Sequence, residues 1–444
     1  MQSYKTPADS VLSKLGQYIL VDGFHIVIDL EKSQGNFIVD ANTGKKYLDM
    51  YSYFASLPIG HNHPKVIGDE DFKNALLRVA LANPTNSDIY AQEYAYFVEK
   101  FGKLTLPEGF DHLFFIAGGG LAVENALKAA FDWKVQKNIA KGLGENKGMK
   151  VIHFKEAFHG RTGYTMSLTN TDPTKTKWFP QFDWPRIINP KLRFPLTDDV
   201  IKEVAETEEM AFAQIKKAFA DNPNDIAAII IEPIQGEGGD NHFRAEFFQG
   251  LRKLADENEA MLIVDEVQTG GGLTGKFWCY EHFGITPDII AFGKKMQVCG
   301  IMVNNRIDEV KNNVFNYSGR INSTWGGNLV DMMRGMKYAE IIREDNLLEN
   351  AATVGAHFLR KMTEFSMNYP NVLNNVRGRG LFMAFDCEST EARDELRSIC
   401  FDKGLATLAA GTKTIRFRPC LTLSINEADY ALDILEEAIK TKSK

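Results

Sequence analysis

The chain has 444 residues, 44% of them hydrophobic and 25% charged. That balance excludes a disordered, collagen-like or coiled-coil protein, and the length predicts two or three domains at about 150 residues each. Asp and Glu total 58 against 51 Lys and Arg, a net charge of -7, so composition points to neither a nucleic-acid nor an anionic-membrane partner. The opening segment MQSYKTPADSVLSKLG lacks the basic and apolar regions of a secretory signal. The longest apolar runs, such as Ala227 to Ile231, are far too short to span a bilayer. Five cysteines, an odd number with no C-x-x-C pair, suit reduced thiols. A cytoplasmic enzyme without disulfides or a metal site is the expectation.

In chain order, residues 1–60 carry the alternating run GNFIVDANTGKKYLDM and are expected to pack with a small C-terminal domain. His61 and His63 in GHNHP resemble a metal pair, but Pro64 and the lack of nearby carboxylate or thiolate ligands argue against a metal. The run His112 to Ala117 reads as a strand ending in Gly118, Gly119 and Gly120. The following segment places Val123, Leu127, Ala130 and Phe131 at helical spacing. Glycines at a strand-to-helix junction allow close approach of an anion to free helical N–H groups, although a plain turn explains them equally well. Val151 to Phe154, Ile226 to Ile234, Met261 to Val267 and Pro287 to Phe292 are further strand candidates, and Phe247, Phe248, Leu251 and Leu254 share a helical face. Near-continuous apolar strands separated by helix-length segments predict an α/β fold with a mainly parallel sheet flanked by helices, here a large domain over 61–330. Residues 331–444 change character. RGRGLFMAFD and TIRFRPCLTLS alternate as half-buried strands before a final helix, which predicts a smaller α+β domain.

Several residues in this frame could carry chemistry. Asp265 ends an apolar strand, where α/β folds bind ligands at the carboxyl edge, although a turn cap is the common fate of an isolated Asp. Lys295 stands just beyond the next strand; a desolvated lysine there can act as an amine nucleophile, and the Lys294–Lys295 doublet leaves one of the two for the surface. Gly270, Gly272 and Gly275 match G-x-G-x-x-G, but the residues after them make a poor helix start and no acidic strand end lies about 20 residues on, so they read as a loop. No G-x-S-x-G occurs. Arg416 and Arg418 share one strand face, where a guanidinium fork can hold a carboxylate.

Taken together, GHNHP, GGGLAVENALK, AFHGR, EPIQGEGG, DEVQTGGGLTG, PDIIAFGKKM, NSTWGG, RGRGL and TIRFRP resemble, in order and across nearly the whole chain, the class III (ω-amino acid) aminotransferases of pyridoxal 5'-phosphate (PLP) fold type I. The resemblance implies a seven-stranded-type sheet and a homodimer with shared active sites. It matches Lys295, rather than Lys294, to the Schiff-base lysine, because the family spaces that lysine five residues before the glycine matched by Gly300. It matches Asp265 to the partner of the pyridine nitrogen, Gln268 to the residue near the ring hydroxyl, and Val267 and Phe158 to the residues enclosing the ring. Gly119 and Gly120 match backbone donors to the phosphate, and Thr324 with Asn322 a phosphate contact made from the neighbouring subunit. Within the class, AFHGRTGYTMSLTNT, FGKKMQVCG and NSTWGGN are most similar to the L-lysine 6-aminotransferases. That likeness implies ping-pong transfer of the ε-amino group of L-lysine to 2-oxoglutarate, giving 2-aminoadipate 6-semialdehyde, which cyclises, and L-glutamate. Arg161 and Arg416 then match anchors for substrate carboxylates, and Glu237 a gate that pairs with Arg416. Another ω-amino donor (ornithine, 4-aminobutyrate or a diamine) or an aminomutase reaction are the alternatives.

Overall fold

The computed structural model describes residues 4–442. Two short strands, β1 (Phe37–Val39) and β2 (Lys46–Asp49), pair antiparallel near the start. The main sheet comes next, built from β3 (Phe110–Ile116), β4 (Lys150–Phe154), β5 (Arg186–Ile187), β6 (Ile226–Ile231), β7 (Met261–Asp265), β8 (Ile289–Phe292) and β9 (Cys299–Asn304). Their spatial order is β3-β9-β8-β7-β6-β4-β5. All run parallel except β9, which is antiparallel to both of its neighbours, β8 and β3.

Every residue of β6, β7 and β8 is buried, as strands covered on both faces require. Alternate side chains enter two separate cores. Ile229, Ile231, Leu262, Val264, Ile290 and Phe292 join the larger core, which includes Phe247, Phe248 and Leu251 from the helix Ala245–Glu257. Ala228, Ile230, Ile263, Ile289 and Ala291 point the other way, onto Val123, Leu127, Ala130 and Trp133 of the helix Gly119–Ala140. The period of two along each strand thus builds a helix–sheet–helix sandwich.

The last part of the chain adds β10 (Asn374–Arg379), β11 (Phe382–Asp386), β12 (Leu405–Ala406), β13 (Leu408–Ala410) and β14 (Thr414–Phe417). An antiparallel sheet runs β10-β11-β14-β13, while β12 leaves it to pair in parallel with β2, Leu405 opposite Leu48. The strand candidates named from sequence appear within a few residues of their expected bounds. Strand β9 was not anticipated, because CGIMVN comes directly after the lysine turn and carries no turn signal of its own. The glycines at 270, 272 and 275 lie in a run of turns where no helix starts, as the loop reading expects.

Candidate active site

Strands β3, β4, β6, β7 and β8 share one direction, so their carboxyl ends gather on one edge of the sheet. Each hands a short loop to that edge, and the loops enclose a cavity of about 410 Å3. Gly119, Gly120, Phe158, Arg161, Glu237, Asp265, Val267 and Gln268, all expected from sequence, line it together, along with His159, Gly160, Thr162, Glu232, Lys294 and Cys299.

The glycines serve the cavity by what they lack. Gly118 has φ +107°, a left-handed conformation that favours glycine, and it starts a helix of 22 residues whose first N–H groups have no intrahelical acceptor. A Cβ on Gly119 would come within 2.9 Å of Val267 Cγ1, and one on Gly120 within 3.1 Å of Thr162 Cγ2. The floor is therefore a bare backbone cradle at a helix N-terminus, suited to a phosphate.

On the opposite side, Asp265 holds its carboxylate in place with two donors. Its Oδ1 accepts from the Val267 N–H at 3.1 Å, and His159 Nδ1 lies 2.8 Å from Oδ2. Burial works against a charged His159, but Asp265 outweighs it and raises the imidazole pKa. His159 sits inside the AFHGR motif, yet the motif by itself assigns it no role; a histidine beside a cavity-lining Phe was the available signal. Glu232, from the loop after β6, accepts from the Phe158 N–H at 2.9 Å and the Gly236 N–H at 3.2 Å. Burial pushes its pKa up to about 7.

The lysine doublet differs from expectation. Lys295, expected as the nucleophile, does not line the cavity; it is 2% exposed and donates to the Ala55 carbonyl at 2.7 Å. The side chain that enters the cavity is Lys294, whose amine has no hydrogen-bond or ion-pair partner among the described residues. Lys294 has φ +46°, a conformation non-glycine residues seldom hold, inside the tight 3-10 turn Lys294–Met296. That turn sends neighbouring side chains to different sides. Burial lowers the Lys294 pKa, and of the charges around it Asp265 acts most strongly in the opposite direction. Counting residues back from Gly300 could not reveal this turn.

Arg416, 2% exposed, points from β14 toward the cavity wall. Its Nη2 donates to Glu237 Oε1 at 2.5 Å and its Nη1 to Gln268 Oε1 at 3.3 Å. Gln268 Oε1 also accepts from Arg418 Nη2 at 3.3 Å, and Arg418 is itself paired with buried Asp240 at 2.6 Å. Arg418 is thus committed to Asp240, and Arg416 is the arginine the cavity can use. Arg161 has no partner among the described residues, and it lines both this cavity and an adjoining one of about 590 Å3. Asn322 and Thr324 are absent from the cavity lining; Thr324 is exposed on a loop of this chain. Among the described residues no three His, Cys, Asp or Glu side chains converge as metal ligands.

A phosphate cradle, an aspartate anion, two residues that can enclose a flat ring and a free amine fit PLP. Comparison with known proteins agrees. The family model of class III aminotransferases matches residues 18–439. The chain is 48% identical over 434 residues to the L-lysine-epsilon aminotransferase of Mycobacterium bovis, covering 98% of this chain and 96% of the relative. It is 45% identical to the enzyme of the same name from Streptomyces clavuligerus, covering 97% and 94%. Among solved structures, lysine aminotransferase from M. tuberculosis superposes with a TM-score of 0.96 at 48% identity, over 98% of this chain and 100% of that one. The cofactor is accordingly PLP, and the chain belongs to the class III aminotransferases, enzymes that move amino groups between small molecules.

Proposed function

We propose that the protein transfers the ε-amino group of L-lysine to 2-oxoglutarate, releasing 2-aminoadipate 6-semialdehyde, which cyclises, and L-glutamate. One observation carries the reading: a buried arginine behind the cavity wall, Arg416, is masked by Glu237, which lines the cavity together with a free amine, Lys294. An enzyme that takes both a far amine and an α-keto acid needs this arrangement. Lysine presents a cationic amine to the inner pocket, where an unmasked guanidinium would repel it. 2-Oxoglutarate presents an α-carboxylate to the same place and needs the arginine free. The name borne by relatives at 45% and 48% identity favours lysine over other ω-amino donors.

PLP supplies an aldehyde that takes up an amino group and a ring that accepts electrons from the substrate carbon. Lys294 is assigned as the amine that holds the cofactor aldehyde, in place of Lys295, and as the base that moves a proton at the substrate carbon. Asp265, backed by His159, keeps an anion against the ring nitrogen so that it stays protonated. Phe158 and Val267 enclose the ring, Gln268 is assigned to the ring hydroxyl, and the Gly119 and Gly120 backbone holds the phosphate. Arg161 holds the carboxylate that points outward.

We assign the assembly as a homodimer. Tyr53, Phe54, Ile89, Tyr90 and Trp325 are exposed, an apolar load that a second copy would cover. In that dimer we assign Thr324 and Asn322, outside the lining of their own chain's cavity, to the phosphate bound by the partner. All five cysteines are free thiols, which supports a cytoplasmic setting. No helix among the described residues is long and apolar enough to cross a membrane.

The test is a panel of amino donors with 2-oxoglutarate, monitoring glutamate and the cyclised semialdehyde. The proposal expects L-lysine to give the highest kcat/KM. Preference for ornithine or 4-aminobutyrate would overturn the donor, and turnover without any keto acid would overturn the transfer reaction in favour of an aminomutase.

A further inference from the structure

Glu237 is held by two cations, and the arginine gate accounts for only one. While Oε1 accepts from Arg416, Oε2 lies 3.2 Å from Lys175 Nζ, a residue 62 positions earlier in the chain. Lys175 ends the 3-10 turn Pro173–Lys175, which Asp172 fixes by accepting from the Thr174 N–H at 2.9 Å. The Lys175 amine also donates to Thr171 Oγ1 at 3.3 Å and stands 5.1 Å from the centroid of the Phe158 ring. Its side chain, outside the cavity lining itself, therefore contacts two residues that line it, Phe158 and Glu237. The Lys175 and Glu237 side chains are 25% and 24% exposed, against 2% for Arg416. Glu237 thus stands between a buried guanidinium and a part-exposed ammonium.

This order bears on how the gate opens. Freeing Arg416 for a keto acid means removing Glu237, and a largely buried carboxylate stripped of its partner is strongly disfavoured. Lys175 already touches the other oxygen of that carboxylate. A side-chain rotation toward the mouth exchanges a shared anion for a full ion pair with Lys175 and strands no charge. Burial raises the Glu237 pKa, but Arg416 and then Lys175 outweigh it and hold it at about 2, so the group moves as an anion.

We propose that Lys175 is the latch that receives Glu237 when Arg416 turns to the α-carboxylate of the keto acid. It is a positioning residue that sets access for the acceptor and leaves the amine donor untouched. The inference rests on the Glu237–Arg416 gate of the proposed function and adds the second station that such a gate requires.

The test uses the holoenzyme carrying Lys175→Met, which keeps an apolar stem beside Phe158, together with Lys175→Arg, Glu237→Gln and the Lys175→Met/Glu237→Gln double variant. Single-turnover absorbance tracks each half-reaction, and calorimetry gives the affinity for glutarate, a dicarboxylate that cannot react. Lys175→Met is expected to weaken glutarate, and to raise the 2-oxoglutarate concentration for half-maximal rate, by about tenfold, the loss of one charge-assisted contact. The lysine half-reaction is expected to stay within about twofold, and Lys175→Arg to restore most of the acceptor's affinity. In the Glu237→Gln background Lys175→Met should add nothing, because no anion remains to be received. Equal losses in both half-reactions, or an undiminished effect in that background, would overturn the latch. If Glu237→Gln separates the half-reactions while Lys175→Met does not, the latch alone falls. If Glu237→Gln fails to separate them, the gate falls and the latch with it.

Discussion

The two adjacent lysines make opposite predictions, and replacing each by Met separates them. Lys295 is buried, burial drives its pKa well below the ordinary lysine value, and its amine donates one hydrogen bond to the Ala55 carbonyl. Lys295→Met removes that bond and leaves the Ala55 carbonyl without its donor, a cost of about 1–3 kcal/mol. Burying a thioether instead of an amine returns part of it, so a net loss of about 1–2 kcal/mol and a fall of a few degrees in Tm are expected. Turnover should survive within a few fold. Lys294→Met loses no hydrogen bond among the described residues, so its Tm without cofactor should hold, yet turnover should fall by at least about 10²–10⁴-fold with the loss of the general base. Thermal unfolding and steady-state glutamate formation on both variants decide the matter. Normal turnover in Lys294→Met, with an inactive and fully stable Lys295→Met, would refute the assignment.

Other outcomes rest on the same geometry. Asp265→Ala removes the anion that His159 backs and should cost about 10²–10³-fold in kcat; an unchanged rate would show that the ring nitrogen needs no counter-charge here. Gly119→Ala brings a Cβ to 2.9 Å from Val267 Cγ1, so PLP titration by fluorescence should show weaker binding, and an unaltered affinity would contradict the cradle. The folded-state pKa of Glu232, about 7, lies above that of an exposed carboxyl, so the folded state favours its protonated form. Its contribution to stability is full below the unfolded carboxyl pKa and is lost as pH rises through about 7. The Tm of the wild type should therefore fall relative to Glu232→Gln between about pH 5 and about pH 8, and a constant difference would dismiss the shift. Glu237 runs the other way. Its depressed pKa of about 2 makes the ion pair's contribution full above the unfolded carboxyl value and lost only as pH falls through about 2, so gate opening should show no titration near neutral pH.

What the sequence disclosed tracks how local the physics is. The strands β6 and β7 were legible because strands buried on both faces must be apolar throughout. Asp265 was legible as a candidate because it ends such a strand at the ligand-binding edge, but alone it read more readily as a turn cap, and the family resemblance supplied its role. Strand β9 escaped because six residues between a lysine turn and an asparagine carry too little pattern. The lysine doublet could not be resolved along the chain, since the side each amine takes is set by a positive φ at Lys294 that no composition rule predicts. Lys175 had no signal at all: its partner is 62 positions away, and only folding brings the Pro173–Lys175 turn to the gate.

The chemistry turns on which amine meets the cofactor. Borohydride reduction of the holoenzyme fixes PLP covalently to the lysine that has condensed with it, and mass spectrometry of the resulting peptides locates the modified residue. Modification is expected at Lys294, with Lys295 unmodified. Modification at Lys295 would contradict the assignment.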